Sequence, residues 1–487
     1  MQEYLYRFRS IDSLLKFKEL ENQEIYFASP EELNDPMEGY KDIFWTGDEI
    51  IWKNFLKHYL LCLENVCALL IIGGEDYEIK NEHISIFRTL DDLPTQQYKN
   101  LYREICLLFF KNSKMKNYPK GFASRKNPIR SDELNLHFKI IHFSALDSIF
   151  TVLNKHKLLS NLPKNNPLRN FSNLPMKDDL FKLTNIVEKQ HSDLNSEILF
   201  NVVNNVFNQT ELIHLYNNPN FLGSKNRRFV LLDFPKIYIK QLEKLVHPEW
   251  YAACFLNDYT NASMWGYYGY NHTGVCLKFK TLSVQQQSGK LFSLYGITGW
   301  QGNQDEIKPI YSFTNHQFYK VDYNSKYPEI DFFKNIGRLP IPILKKYWYM
   351  DENNNISICA DDIFNNEENW RKTYWDNFTK GISIKLNDWL HENEYRLIIY
   401  SLLGDEYDTC EKRKLKYNFF DIEGIIFGIK TPIEDKLKIM KIIENKCQKE
   451  NRTDFKFYQA YYSRDTGKIE ANEMSLLKVK LDSKLDR

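Results

Sequence analysis

The strand-like residues of this chain stand at its two ends, and a long helical stretch separates them. Residues 3–9 alternate, with Tyr4, Tyr6 and Phe8 on one side and Leu5, Arg7 and Arg9 on the other. Ser10 sits where an N-cap would, and Ile11, Leu14, Leu15 and Leu20 follow with helical spacing. "QEIYFAS" reads as a second strand, and "PEELNDPMEG" as a turn in which Pro36 pushes Asp35 out of the α region. From residue 50 to roughly 215 the apolar clusters keep helical spacing, and the Lys, Asn and Pro content of 155–180 suggests a loop. From about 228 short β-branched and aromatic runs appear: "RFVLLDF", "WYAACFLND", "GVCLKFK", "GISIKL", "EYRLIIYSLL", "IEGIIFGIK" and "DFKFYQAYYS". "IEDKLKIMKIIENKCQKE" between the last two has a clear 3.6 period.

The N-terminal strands need partners that only the C-terminal half supplies, so the pattern predicts one α+β domain interrupted by an insertion. The expected boundaries are 1–48 for the first part of the core and 49–227 for a mainly helical insertion. Residues 228–464 form the rest of the core, with a smaller insertion near 290–380, and 465–487 form a polar, partly frayed tail.

Of 487 residues, 43% are hydrophobic and 15% aromatic, enough for a large core, and the net charge of +1 argues against a bulk field for nucleic acid or anionic membrane. No GxGxxG and no GxxxxGK[ST] occurs. The N-terminus lacks an apolar segment of the signal-peptide kind, and no apolar run reaches the ~18–20 residues of a membrane span. Eight cysteines are scattered without a CxxC pair, which makes a reduced cytoplasm the simplest location. The eleven histidines are dispersed, so no metal is expected.

Four stretches could carry chemistry. Arg7 and Arg9 share a strand face and repel unless an anion or carboxylate sits between them; they are a solvated edge or an anion clamp. "NDPMEG", with Asn34, Asp35 and Glu38, is either a plain turn or a functional loop whose carboxylates hold an arginine. In "MWGYYGYNHTGVC", Trp265 and Tyr268 lie three apart, as core residues or as a platform for a planar ring, and His272 marks a helix exit. In "WLHENEYRL", Glu392, Glu394 and Arg396 fall on one face of a strand, either as a salt-bridged surface or as a pair of working carboxylates.

These pieces, in this order, resemble the bacterial family catalogued as domain of unknown function 2971. The resemblance rests on "LYRFRS", "FASPEELNDPMEG", "AACF", "MWGYYGYNHTGVCL", "WLHENEYRL" and "IEGIIFG", and covers about 1–45, 250–280 and 385–430. Leu256 stands where the family pattern has a serine, and residues 50–245 make this chain longer than typical members. More distantly, the arrangement is similar to the ADP-ribosyltransferase superfamily, in its DarT-like branch. That resemblance implies a twisted β core with NAD as substrate and without a metal. Arg7 or Arg9 would clamp the diphosphate or ribose, and Ser29, Trp265, Tyr268 and His272 would line the pocket. Glu394 would be the catalytic carboxylate and Glu392 would orient the acceptor. A carboxylate beside the ribose stabilises the oxocarbenium-like state of nicotinamide loss.

The expectation is therefore an NAD-consuming enzyme that transfers ADP-ribose to a macromolecule or hydrolyses NAD, of a kind found among bacterial toxins and anti-phage defence effectors. The alternatives are a nucleic-acid-binding module and a nucleotide sensor without catalysis. The segment 111–131, with seven basic residues, no acidic one, and Tyr118 and Phe122 interleaved, is the candidate surface for a nucleic-acid or protein acceptor.

Overall fold

The computed structural model describes residues 2–74, 76–159, 181, 193–217, 225–284, 287–303, 306–402 and 406–478. The chain divides into two compact units. One comprises Met1–Tyr40, Glu249–Tyr327 and Thr379–Arg487, the other Lys41–Pro248 and Pro328–Phe378.

Among the described residues, fourteen strands run in chain order: β1 (Glu3–Arg9), β2 (Glu24–Tyr26), β3 (Asp42–Trp45), β4 (Ile129–Arg130), β5 (Trp250–Leu256), β6 (Val275–Val284) and β7 (Gln287–Asn303). They continue as β8 (Glu306–Lys320), β9 (Glu329–Asp331), β10 (Glu394–Tyr400), β11 (Lys414–Tyr417), β12 (Ile422–Phe427), β13 (Lys456–Tyr462) and β14 (Ile469–Glu473).

In the first unit, β6–β1–β5–β10–β8–β7 form an antiparallel series, and β7 returns to β6, closing a six-stranded barrel. Closure removes the free edges that an open sheet of these strands would expose. Inward side chains alternate along each strand as the pleat demands: Leu5, Phe255, Phe279, Phe292, Phe318 and Leu397 belong to one buried cluster. Outside the closed ring, β12, β13 and β14 extend the sheet from β6, while β11 and β2 extend it from β7. The helix Ile433–Glu450 begins after Pro432 and buries Ile439, Ile443 and Cys447, four apart, against the same cluster as the barrel interior. The class is thus α+β.

The second unit is largely helical. Its long helices, Glu49–Gly73, Gln96–Lys111 and Ser131–Lys155, share one aromatic-rich core with Phe234–Val246. Asp48 caps the first of these by accepting from the Ile51 N–H at 3.0 Å. A short sheet in the order β4–β3–β9 completes the unit.

Several sequence expectations change. "RFVLLDF" is helical, leading through the π-helical turn Phe229–Asp233 into Phe234–Val246; Phe234 and Tyr238, four apart, bury in the helical core, and Pro235 follows directly on the π-helical turn. "GISIKL" completes the helix Glu367–Ile382 and then makes a single bridge, Ile384 to Asp322. Residues 287–320, expected within an insertion, are barrel strands, and only 328–378 join the helical unit. The tail contains β14, paired with β13, while 479–487 lie outside the described residues. The first helix breaks at Lys18, with φ 57°, into Asp12–Lys16 and Glu19–Asn22. The expected loop at 155–180 lies outside the described residues beyond 159. Glu49–Gly73 and Ser131–Lys155, at 25 residues each, are long and apolar enough to cross a membrane, contrary to the reading of the apolar runs. Their most apolar windows are 61% and 67% buried within the protein, as in core helices.

Candidate functional site

The barrel parts between β1 and β5. The two strands share one residue pair, Tyr6 with Leu256; beyond it Arg7–Arg9 pair with β6, and Trp250–Phe255 pair with β10. Ala28 bridges Ala252 from the open side. A cavity of about 200 Å³ occupies this gap.

Strand parity distributes charge across the gap. Tyr6, Leu256 and Glu394 stand in register and face one side. Arg7 and Arg9 face the other, with Leu5. The cavity reaches both sides because the strands have separated, and its wall includes Arg7, Arg9, Asn34, Glu38, Tyr268, Lys385, Glu392 and Glu394.

The two arginines differ. Arg9 donates from Nε to the Glu19 carboxylate at 2.7 Å and from Nη2 to the other oxygen, so its charge is matched. Arg7 is 7% exposed, packs its guanidinium 5.3 Å above the Phe255 ring, and donates from Nη2 to the Tyr26 carbonyl at 3.0 Å. Its Nη1 is buried without any acceptor. Burial and then Arg9 push the guanidinium down to about 10. A buried cation in this state is costly unless an anion joins it.

On the opposite side lies a chain of ion pairs. Arg396 donates to both oxygens of Glu38 at 2.6 and 2.8 Å and from Nε to Glu394 at 2.8 Å. Lys385 donates to Glu392 at 2.5 Å and to Glu394 at 3.1 Å. Tyr268 donates to Glu392 at 2.5 Å and accepts from the Asn34 amide at 3.1 Å. Burial pushes Glu394 up, but Arg396 and Lys385 outweigh it and hold the carboxyl down at about 2. Glu392 moves the other way: burial raises it more than Lys385 lowers it. Burial also raises Glu38, against the pull of Arg396. Burial and the Glu392 charge raise the Tyr268 hydroxyl, which keeps it a donor.

Local sequence explains these placements. Asp35 accepts from the Met37 N–H at 2.9 Å, an Asx turn, and from the Leu386 N–H at 3.1 Å, which ties the "NDPMEG" turn to the segment bearing Lys385. Glu392 ends the 3₁₀ turn Asn387–Glu392, Asn393 adopts φ 47°, and Glu394 opens β10. The two glutamates therefore converge across a left-handed residue and do not share a strand as the sequence suggested. The Glu394 N–H donates to the Tyr323 hydroxyl at 2.9 Å.

Of the candidate residues, the cavity gathers Arg7, Arg9, Asn34, Glu38, Tyr268, Glu392 and Glu394. Four others are placed elsewhere. Trp265 is fully buried, edge-on to Phe8 with ring centroids 4.8 Å apart, and its indole N–H donates to the Tyr259 carbonyl at 2.8 Å. Its ring is core and has no face free for a ligand. Asp35 is a turn residue, and the Ser29 N–H donates to the Glu32 carboxylate at 2.7 Å as a helix cap. His272, with φ 68°, is a turn residue whose carbonyl accepts from the Lys430 N–H at 3.0 Å. Lys385 was missed. Its only signal in the sequence is the surplus of carboxylates at Asp388, Glu392 and Glu394, which calls for a cation nearby.

The acceptor surface proposed at 111–131 also changes. Its middle is the helix Ser113–Ala123, whose Tyr118 and Phe122 are buried, leaving no ring face for stacking. Among the described residues, no group of three or more His, Cys, Asp or Glu side chains could hold a metal. Comparison with known protein families, with curated proteins and with solved structures finds no match.

Proposed function

We propose that the cavity binds NAD and that the protein breaks its nicotinamide–ribose bond, passing ADP-ribose to an acceptor or to water. The observation that carries this reading is the Arg7 guanidinium, buried with Nη1 lacking an acceptor, in the wall of the same cavity as Glu392 and Glu394. An anionic diphosphate would complete Arg7, in the fork geometry that guanidinium favours. The carboxylates would face the ribose. Loss of nicotinamide leaves positive charge at C1′, and Glu394, ionised at neutral pH, would stabilise it. The acceptor's oxygen would form the new bond to C1′, the C–N bond electrons would leave with nicotinamide, and Glu392 would take the acceptor's proton.

One observation favours a second reading. Both oxygens of Glu394 are engaged by Arg396 and Lys385. A carboxylate held this firmly also suits a nucleotide sensor that binds without turnover.

Release of free nicotinamide from NAD separates the two. Turnover by the wild type and none by Arg7→Met or Glu392→Gln, each folded, is the expected result. Thermal stabilisation by NAD without nicotinamide release would favour the sensor. Neither stabilisation nor release would overturn both.

A further inference from the structure

We propose that the outer face of the β7–β8 ribbon, distant in function from the cavity above, binds single-stranded nucleic acid by stacking bases on its exposed rings. In the antiparallel register Tyr295 pairs with Phe313 and Ile297 with Tyr311, so these four share a face. The register shift between Ile297 and Gly299 moves the alternation by one, which brings Trp300 and Pro309 onto that same face. Tyr295, Tyr311, Phe313 and Trp300 are 39%, 50%, 51% and 37% exposed. The opposite face carries Phe292 and Leu294, buried in the barrel, so the pleat fixes the rings outward. Successive rings on one strand, Tyr311 and Phe313, are about 6.6 Å apart along the chain. Tyr295 lies against Phe313 and Tyr311, with ring centroids 5.3 and 6.0 Å apart, so three of the rings form one exposed aromatic cluster.

Charge selects the occupant. No Asp or Glu occurs at 289–303 or 307–321; Lys290, Lys308 and Lys320 stand on the side of the pleat opposite the rings, so the cations that border the ring face come from β11. On neighbouring β11, Lys416 pairs directly with Tyr295, and Lys414 follows two residues away on the same side. Lys414 pairs with Glu411, and Lys412 with Asp408, across contacts in which Glu411 is 80% and Asp408 46% exposed. Exposed pairs of this kind contribute little and exchange readily for phosphate. Asn315 and Ser293, the next pair along the ring face, offer amide and hydroxyl groups for base edges. Flat apolar faces joined by anions match this surface. A duplex hides its base faces, so the strand must be single.

The test titrates the whole protein into a fluorescein-labelled single-stranded RNA of about 12 nucleotides, reading anisotropy at several salt concentrations. The expected result is binding that Tyr311→Ala and Phe313→Ala each weaken roughly tenfold. Lys416→Ala should lower the salt slope by about one. A single DNA strand of the same sequence should compete, and the duplex should not. The proposal fails if anisotropy does not change at low salt, if the duplex competes equally, or if both ring variants bind like the wild type. It also fails if sedimentation shows a dimer that Phe313→Ala dissolves, which would assign the face to a second copy. Because these rings lie outside the cavity, nicotinamide release from NAD should be the same in Phe313→Ala as in the wild type, so failure here leaves the reading of the cavity standing.

Discussion

Arg7 and Arg396 show how differently two buried guanidiniums can be treated. Arg396 has two carboxylates around it, and removing it strands Glu38 and leaves Glu394 with Lys385 alone. Arg396→Met should cost about 3–5 kcal/mol, the usual loss when one partner of a buried pair is deleted. A urea titration with a midpoint like the wild type's would contradict this. Arg7 has no carboxylate partner, so Arg7→Met should leave the urea midpoint unchanged or raise it, while abolishing nicotinamide release. A variant that unfolds would show that Arg7 is structural. Glu394 adds a pH signature. Its carboxyl lies at about 2 in the fold against 4.5 as the ordinary value. The unfolded chain takes the proton first, so the stability Glu394 confers is complete above about pH 4.5 and drains away between there and about pH 2.

At the scale of elements, the short helix Ala262–Tyr267 acts as a plug on the outer side of the barrel. Met264 and Trp265 pack with Phe8, Leu256 and Cys276, outward residues of β1, β5 and β6. The helix is thus held by the strands that border the gap, and it carries Tyr268 at its C-terminal end, within reach of Glu392. Trp265→Ala should destabilise by about 3–5 kcal/mol through the cavity it leaves. Reduced nicotinamide release with an intact urea midpoint would instead make Trp265 a ligand-facing residue. Gly274 follows at the entry to β6, where an added Cβ would meet the Arg9 carbonyl oxygen at 2.5 Å. The close approach of these two backbones explains why no side chain stands there.

Across the whole molecule, the helical unit carries an acid sensitivity of its own. His58 accepts from the Tyr238 hydroxyl and faces the Ile86 carbonyl, both at 2.8 Å. His142 repeats the pattern with Tyr59 at 2.7 Å and the Val230 carbonyl at 2.7 Å. A carbonyl only accepts, so each imidazole carries its proton on Nε2 and is neutral. Burial pushes both down to about 4 and His247 to about 3, from 6.5. The unfolded chain binds protons before the fold does, so stability declines as pH falls from about 6.5 toward 4, by on the order of 3 kcal/mol per histidine. Glu64, pushed up to about 7 by burial, runs the other way and offsets about one of them. Thermal melts at pH 5 should therefore fall well below those at pH 7, and His142→Gln should narrow the difference. Equal midpoints at the two pH values would refute the reading.

Much of the element pattern was legible in the sequence because it depends on local spacing. β1, β5, β6, β10, β12 and β13 stand where short aromatic and β-branched runs occur, and Ile433–Glu450 stands where the 3.6 period is clearest. "RFVLLDF" misled because a short apolar run fits either period, and only packing against the helical core decides. The cavity residues Arg7, Glu38, Tyr268, Glu392 and Glu394 drew notice as charges or rings that a plain core would not spend. Spacing alone did not bring them together; only the resemblance placed the arginines, Tyr268 and the two glutamates in one pocket. Strand order brings β5 beside β1, and β10 beside β5, from more than 240 residues away, and parity then sets Arg7 and Arg9 on the opposite side of the sheet from Glu394. Trp265 and Tyr268, equivalent by spacing, part company because one faces the outer strands and the other the gap. Residue type and period determined which segments are strands or helices and which side chains are costly to bury. Tertiary structure alone decided which of those costs are met: Arg9 reaches the carboxylate of Glu19, ten residues on, while sheet register sets Arg7 over Phe255 of β5, where no carboxylate meets it.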